Sequence, residues 1–230
     1  MNFTDLKAGR LANGWSQVEA ARRLKVSQSY LAMLEGGVRR VTPDLARRAM
    51  RVYDLAPTAL PPSALNVASR QTASETLAGA LAALGYPGLA YLRPRKWKPK
   101  NPGEVLLSAL AREDLESRLV EALPWLVLKF WPLDRDWLVR EAKLRDLQNR
   151  LGFVVTLARR LAERAGDQPR ARTLEEFETV LERSRLARED TLCGASLPEA
   201  ERRWLVEHRS PEAKRWNVLS DWTADALRFA

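Results

Sequence analysis

The chain has 230 residues and carries 38 Lys and Arg against 29 Asp and Glu, a formal net charge of +9. Such an excess of cations favours a polyanionic partner, and it is densest in residues 1–58, with 10 basic and 5 acidic side chains. No apolar run approaches the roughly 18 residues that a membrane-spanning helix needs, and no signal peptide opens the chain. A single cysteine, Cys193, excludes an internal disulfide framework, so we expect a cytoplasmic protein that does not contact a membrane.

Residues 16–35 read SQVEAARRLKVSQSYLAMLE and predict two short helices joined by a tight turn. Ser16 is a natural N-cap for the first helix, with Glu19 placed to complete a capping box, and Ser27 caps the second. Lys25 lies in the turn, where a left-handed backbone costs a residue other than glycine about 1 kcal/mol. A helix that begins with small polar side chains suits insertion into a DNA major groove. The predicted apolar anchors are Val18, Ala21, Leu24, Val26, Leu31 and Leu34.

Residues 4–55 resemble the Cro/Xre-type helix-turn-helix family, which includes the phage repressors. The matching residues are Leu11, Trp15-Ser16-Gln17, Ala21, Leu24, Val26 through Leu31, Glu35-Gly36-Gly37, Arg39 and Pro43. The resemblance implies that Gln17 contacts phosphate and that Gln28 and its neighbours reach base edges. Lys25 and Met33 depart from the family's usual pattern. The full set of predicted DNA-binding residues is Gln17, Lys25, Ser27, Gln28, Ser29, Tyr30, Arg39 and Arg40.

Pro43 opens a predicted fourth helix, residues 43–55, which closes this module with a basic outer face. The next stretch, 57–73, is rich in Pro, Ala, Ser and Thr and predicts a linker, because it has little to bury. A short helix is expected from about residue 74 to 84. We therefore expect a DNA-binding domain at 1–56, a linker at 57–73 and a helical regulatory domain at 74–230.

The loop at 85–103 is strongly basic and contains no acidic residue. One interpretation is an arm that touches the DNA backbone or minor groove. The other is a solvated loop whose Trp97 packs on its own domain. The residues of the arm would be Arg93, Arg95, Lys96 and Lys98.

The rest of the chain predicts a helical bundle, with helices at about 103–111, 113–129, 134–165, 173–190, 197–208 and 211–228. Asp134, Thr173 with Glu176, and Ser210 before Pro211 are the expected caps. In the 134–165 helix an apolar seam predicts either a central bundle helix or a coiled coil that pairs two subunits. The seam is Leu144, Leu147, Leu151, Val154, Ala158, Leu161 and Ala165. The expected fold class is all-α, with a four- to five-helix DNA-binding module joined to a larger bundle.

No pattern in the sequence points to catalysis, a cofactor or a metal. His208 has no second His or Cys nearby, Cys193 has no identifiable base, and no glycine-rich phosphate loop occurs. Most of the eight tryptophans are expected in the core. The late segment with Arg215, Trp216 and Trp222 combines residue types that are enriched at interfaces, so it is a candidate partner-binding site.

These observations predict a sequence-specific DNA-binding regulator, an autorepressor that binds operator DNA as a homodimer. Its helical domain would supply dimer contacts and bind a partner or effector. The antitoxin of a toxin–antitoxin pair is one option within this class, because many antitoxins resembling this family carry such a second domain. The alternative is a protein-interaction scaffold whose module no longer reads bases, which Lys25 and Met33 would allow. An enzyme carried on the helical domain is a third and weaker hypothesis.

Overall fold

The computed structural model describes residues 1–62, 73–93 and 99–228. Over these ranges the chain is mostly helical, with two strands of two residues each, which confirms the all-α fold class. The chain forms two compact units, Met1–Ser63 (unit 1) and Ala64–Ala230 (unit 2).

In its described residues, unit 1 has four α-helices and a short 3₁₀ turn. They are α1 (Phe3–Ala12), α2 (Gln17–Leu24), α3 (Gln28–Glu35), α4 (Pro43–Val52) and the 3₁₀ turn Pro57–Ala59. All four helices contribute to one apolar core, to which Leu6, Leu24, Leu31, Leu34 and Leu45 belong. Ala21 is buried there, as expected of a small residue at a close helix approach.

The helix starts of unit 1 follow the sequence closely. The Ser16 hydroxyl accepts a hydrogen bond from the Glu19 amide at 3.2 Å, and the Ser27 hydroxyl accepts one from the Tyr30 amide at 3.2 Å. The predicted capping box is not completed, because the Glu19 carboxylate accepts from Arg23 at 2.9 Å instead. Val18 is 68% exposed, so its prediction as an apolar anchor was wrong.

The beginning of the predicted linker belongs to unit 1. Leu60 is buried and forms a small apolar cluster with Ala46 and Met50 of α4. The 3₁₀ turn that precedes it brings Leu60 back onto this helix. Residues 63–72 of the predicted linker lie outside the described residues, and Ala73, its last residue, already begins a helix.

Unit 2 is a helical bundle with one minimal sheet. Its α-helices are α5 (Ala73–Leu84), α6 (Pro102–Leu110), α7 (Ser117–Lys129), α8 (Arg135–Lys143), α9 (Gln148–Arg164), α10 (Gln168–Glu182), α11 (Glu199–His208) and α12 (Pro211–Arg215). The strands β1 (Asp190–Thr191) and β2 (Val218–Leu219) pair in parallel, with Asp190 opposite Val218. The 3₁₀ helices are Pro87–Leu92 and Ala224–Ala226.

Helix α9 is the centre of this bundle. It contacts α6, α7, α8, α10 and α12, and most of its side chains are buried. The seam residues Leu151, Val154, Ala158 and Leu161 are at most 2% exposed. Because neighbours in the same unit cover them, these side chains do not pair two subunits, and the central-helix interpretation agrees with the structure.

The predicted helix at 134–165 is two helices. α8 ends at Lys143 and α9 begins at Gln148, and between them Asp146 adopts a left-handed backbone with φ 57°. Leu144, assigned to the seam from its spacing, is 71% exposed in this turn. The Leu147 amide donates to the Ala142 carbonyl, which closes the end of α8.

Two other helix predictions also needed correction. α10 begins at Gln168, capped by Asp167, so Thr173 lies inside the helix and donates to the Pro169 carbonyl at 2.8 Å. The predicted helix at 211–228 ends at Arg215, and β2 follows it. The predicted cap Ser210 is confirmed, because its hydroxyl accepts from the Ala213 amide. No helix in the described ranges has the length and apolar content needed to cross a bilayer.

Candidate nucleic-acid interface

Helix α3 has one side in the core of unit 1 and one side in solvent. Leu31, Leu34 and Glu35 are buried, whereas Gln28 and Ser29 are exposed. With 3.6 residues per turn, the side chains four positions after these two, Ala32 and Met33, continue the same outward side. The outward face of α3 therefore consists of Gln28, Ser29, Ala32 and Met33.

A left-handed residue closes the turn between α2 and α3. Lys25 has φ 54° and ψ 47°, and its amide donates to the Arg22 carbonyl. The Val26 amide returns to the Ala21 carbonyl at 3.0 Å, and Arg48 of α4 donates to the Leu24 carbonyl at 2.7 Å. Lys25 thus adopts the predicted left-handed backbone conformation. A hydrogen bond from α4 to the carbonyl of the preceding residue, Leu24, stabilises the turn.

A hydrogen-bond relay connects the exposed start of α3 to a buried ion pair. The Gln28 Nε2 donates to Gln17 Oε1 at 2.9 Å, and the Gln17 Nε2 donates to Glu35 Oε2 at 3.0 Å. Arg10 of α1 donates to both oxygens of Glu35, at 2.7 and 2.9 Å, and to the Trp15 carbonyl at 2.9 Å. We call these four side chains, Arg10, Glu35, Gln17 and Gln28, the relay. It links α1, α2 and α3, so Gln28 has a defined position.

The electrostatics of the relay keep its ion pair charged. Burial alone raises the pKa of Glu35, but hydrogen bonds from Arg10 and Gln17 outweigh it and hold that pKa below its ordinary value. The hydrogen bond to Glu35 raises the pKa of Arg10. Sequence reasoning used Glu35 only as part of the family pattern and did not identify Arg10, because no spacing rule pairs residues 25 positions apart.

Exposed cations lie on both sides of α3. Lys25 precedes the helix, and Arg39 and Arg40 follow it in the loop to α4. None of the three forms an ion pair with a described residue, whereas Arg23 pairs with Glu19 and Arg47 with Asp44. Lys25, Arg39 and Arg40 therefore offer uncompensated positive charge next to the outward face.

The other predicted DNA-binding residues have local structural roles. The hydroxyl of Ser27 caps α3, and half-buried Tyr30 packs against the core, so Gln28 and Ser29 are the polar side chains that face outward. In the predicted basic arm, Arg93 is exposed at the end of a 3₁₀ helix. Arg95, Lys96 and Lys98 lie outside the described residues.

The predicted partner-binding segment is part of the interior of unit 2. Trp216 is fully buried against Gly152 of α9, and its Nε1 donates to the Thr156 hydroxyl at 2.8 Å. Arg215 donates to Glu178 and Glu182 of α10 at 2.9 and 3.0 Å. Trp222 is half-buried against the same core. A buried indole cannot dock a partner, so Trp216 stabilises the bundle instead. Arg215 and Trp222 keep partly exposed surface, and their assignment to a partner stays a prediction.

His208 and Cys193, the two reactive side chains considered from the sequence, each have a local structural environment. His208 stacks on Trp204 and hydrogen-bonds to its carbonyl, and burial raises the pKa of the Cys193 thiol to about 12. In the residues that the structure describes, no group of three His, Cys, Asp or Glu side chains is placed to hold a metal.

A small polar cleft of about 180 Å³ lies beside β1. Its charged side chains already have partners in the protein: Arg150 pairs with Asp190 at 2.8 Å, and Arg202 donates to the Ala195 and Leu197 carbonyls. The cleft is lined by Arg150, Glu189, Asp190, Thr191, Ala195, Arg202 and Leu219.

Comparison with known protein families finds a match for unit 1. Residues 6–60 match a helix-turn-helix family model, of the Cro/C1 type. Neither the comparison with curated proteins nor the one with solved structures finds a match. The matched segment spans α1 through the 3₁₀ turn, with the relay and the outward face of α3 inside it. The N-terminal unit of this chain is therefore a helix-turn-helix module similar to the Cro/C1 type, which in general supports a DNA-binding transcription regulator.

Proposed function

We propose that the protein is a cytoplasmic, sequence-specific DNA-binding repressor of its own operon, which binds operator DNA as a homodimer through unit 1. The observation that carries this proposal is the relay, because it holds Gln28 in place on the exposed start of α3. A side chain whose position is fixed before binding loses less conformational entropy when it contacts a base. A preorganised donor and acceptor therefore favour direct base reading.

The chemistry of Gln28 suits an adenine. One N–H of its amide is used by Gln17, which leaves a second N–H and the carbonyl oxygen. These two groups match N7 and the N6 amino group of adenine in the major groove. We therefore propose that Gln28 contacts an adenine, while Gln17, Arg39 and Arg40 contact phosphates and set the register of α3.

The cations beside α3 would supply the part of the affinity that does not depend on sequence. Lys25, Arg39 and Arg40 are exposed and lack acidic partners among the described residues. Each phosphate that a cation neutralises releases close to one counterion, so binding weakens as salt rises. Base contacts by Gln28 then add discrimination between sequences.

In this proposal, unit 2 forms the dimer contacts and binds a partner or effector. A single module of about 60 residues makes few base contacts, and pairing two modules on one duplex supplies the missing specificity. Within this proposal, an antitoxin function would require unit 2 to cover a toxin encoded beside it. Copurification of the neighbouring gene's product with the full chain tests that narrower form.

The experiment that tests the proposal is selection of duplexes from a random DNA library by the full-length chain. Enriched duplexes and scrambled versions of equal composition are then titrated at several salt concentrations. We expect one enriched, two-fold symmetric motif, bound at least a hundredfold more tightly than its scrambled version. Equal affinity for both would contradict the proposal and favour the alternative, a scaffold whose module no longer reads bases.

A further inference from the structure

The second turn of α3 presents an apolar surface where its first turn is polar. Met33 and Ala32 lie on the outward face behind Gln28 and Ser29, and both are only partly exposed. In the described part of unit 1, the apolar clusters of the core include Leu31 and Leu34 but neither Ala32 nor Met33. The core therefore does not account for the apolar character of these two side chains.

The backbone of Met33 is hydrogen-bonded to the loop after α3, which carries the proposed phosphate contacts Arg39 and Arg40. Its carbonyl accepts hydrogen bonds from the Val38 amide at 2.9 Å and the Arg39 amide at 3.2 Å. Because the Arg39 amide is bonded directly to the Met33 carbonyl, a phosphate contact by Arg39 would hold Met33 at a constant depth over the base pairs. Met33 is five residues after Gln28, so at 1.5 Å per residue it lies about 7.5 Å further along the helix axis. That distance is about two base-pair steps.

The major groove offers one apolar group at its base edges, the C5 methyl of thymine. A thioether placed over any other base edge would cover donors or acceptors without giving them a partner, which costs binding energy. The unbranched side chain of methionine adapts its shape to a methyl group. Met33 is thus suited to a thymine and unsuited to the other three bases.

We infer that Met33, together with the methyl of Ala32, recognises the C5 methyl group of a thymine about two base pairs from the position that Gln28 reads. This inference rests on the proposed function, because it assumes that α3 lies in the major groove of a duplex.

The test uses the enriched duplex in which each thymine of a half-site is replaced, one at a time, by deoxyuridine. This change removes the methyl group and leaves the hydrogen-bonding pattern of the base unchanged. At one thymine position in each half-site, replacement by deoxyuridine should make the full-length chain bind the duplex about three- to fivefold more weakly. This is the expected effect of losing one buried methyl contact. In Met33→Ala that position should become insensitive to the replacement, and in Met33→Leu it should stay sensitive.

Leu11→Ala is the matched control, since Leu11 is an exposed apolar side chain on α1, outside the outward face. It should keep the wild-type response to deoxyuridine. Affinity for scrambled DNA reports whether each variant is folded. If every replacement is neutral for the wild type, or if Met33→Ala keeps the response, the inference is overturned while the proposed function survives. If no duplex is enriched, both are overturned.

Discussion

At the scale of single residues, the proposed DNA-binding surface depends on a charge pair that is almost completely removed from solvent. The Arg10 and Glu35 side chains are 10% and 3% exposed, and Glu35 also accepts from Gln17. A carboxylate in this position is stable only while its donors satisfy it. Gln28, which would touch DNA, is therefore positioned through Gln17 by a buried ion pair that would not touch it.

Arg10→Met should lower the free energy of unfolding by about 3–5 kcal/mol, because it leaves Glu35 charged and buried without its partner. The exposed Arg47, paired with Asp44, supplies the control, and Arg47→Met should cost at most about 1 kcal/mol. Urea titration with amide exchange in α1 and α3 as the readout measures both. Equal, small losses in the two variants would show that the buried pair does not hold unit 1 together.

At the scale of helices and loops, the helix-turn-helix was predictable because its signals are local. Ser16 and Ser27 cap helices within three residues, and Pro43 begins α4, so each signal lies beside the structure that it determines. The relay was not predictable, because its ion pair joins α1 to the end of α3. Only packing brings Arg10 and Glu35 together.

The loop after α3 carries the clearest electrostatic prediction. Arg39→Ala combined with Arg40→Ala should weaken binding to every duplex and flatten the dependence of affinity on salt by about 2 units, since two phosphate contacts are lost. Arg172→Ala with Arg183→Ala removes the same charge from α10 and its C-cap, both exposed positions. Titrations across a salt series should show the flattened slope in the first variant alone. An unchanged slope there would rule out the phosphate contacts.

In unit 2 the sequence predicted helical content better than it predicted helix ends. Leu144 and Leu147 fit the seam, yet the left-handed Asp146 ends that helix between them, since a strict spacing cannot reveal a turn. Trp216 was predicted to lie at an interface because its neighbours in the sequence are basic and aromatic residues. Its actual partner is Gly152, whose missing side chain makes room for the indole ring.

Gly152→Ala tests this packing. A Cβ at position 152 would overlap the Trp216 ring, so we expect a loss of at least about 1–3 kcal/mol in the stability of unit 2. Gly79→Ala in α5 is the control, because nothing lies within 4 Å of a Cβ there. That variant should be neutral or gain up to about 1 kcal/mol from helix propensity. Thermal unfolding of both variants decides it, and a neutral Gly152→Ala would contradict the packing argument.

At the scale of the whole molecule, the proposed division of labour places DNA binding in unit 1 and pairing in unit 2. The buried seam of α9 removes one route to a dimer, so the proposed dimer would use other surfaces of unit 2. Half-sites one helical turn apart, roughly 34 Å, would then match the two-fold symmetry of the pair.

A fragment ending at residue 70 should be a folded monomer with weak and poorly selective DNA binding. It keeps the core and the relay of unit 1 but lacks the surfaces assigned to pairing. Sedimentation of this fragment beside the full chain, at tens of micromolar, measures the difference. Dimerisation of the fragment, or a monomeric full chain, would show that unit 2 does not pair the subunits.

The most direct test of the central claim, that Gln28 on α3 reads bases, is a titration of wild type and Gln28→Ala with the enriched and the scrambled duplex. Gln28→Ala should weaken binding to the enriched duplex by about 1–3 kcal/mol and leave the scrambled duplex nearly unaffected. Its relay partner Gln17 keeps its bond to Glu35, so the fold of unit 1 should be retained. An equal loss on both duplexes would contradict base reading and reduce Gln28 to a backbone contact.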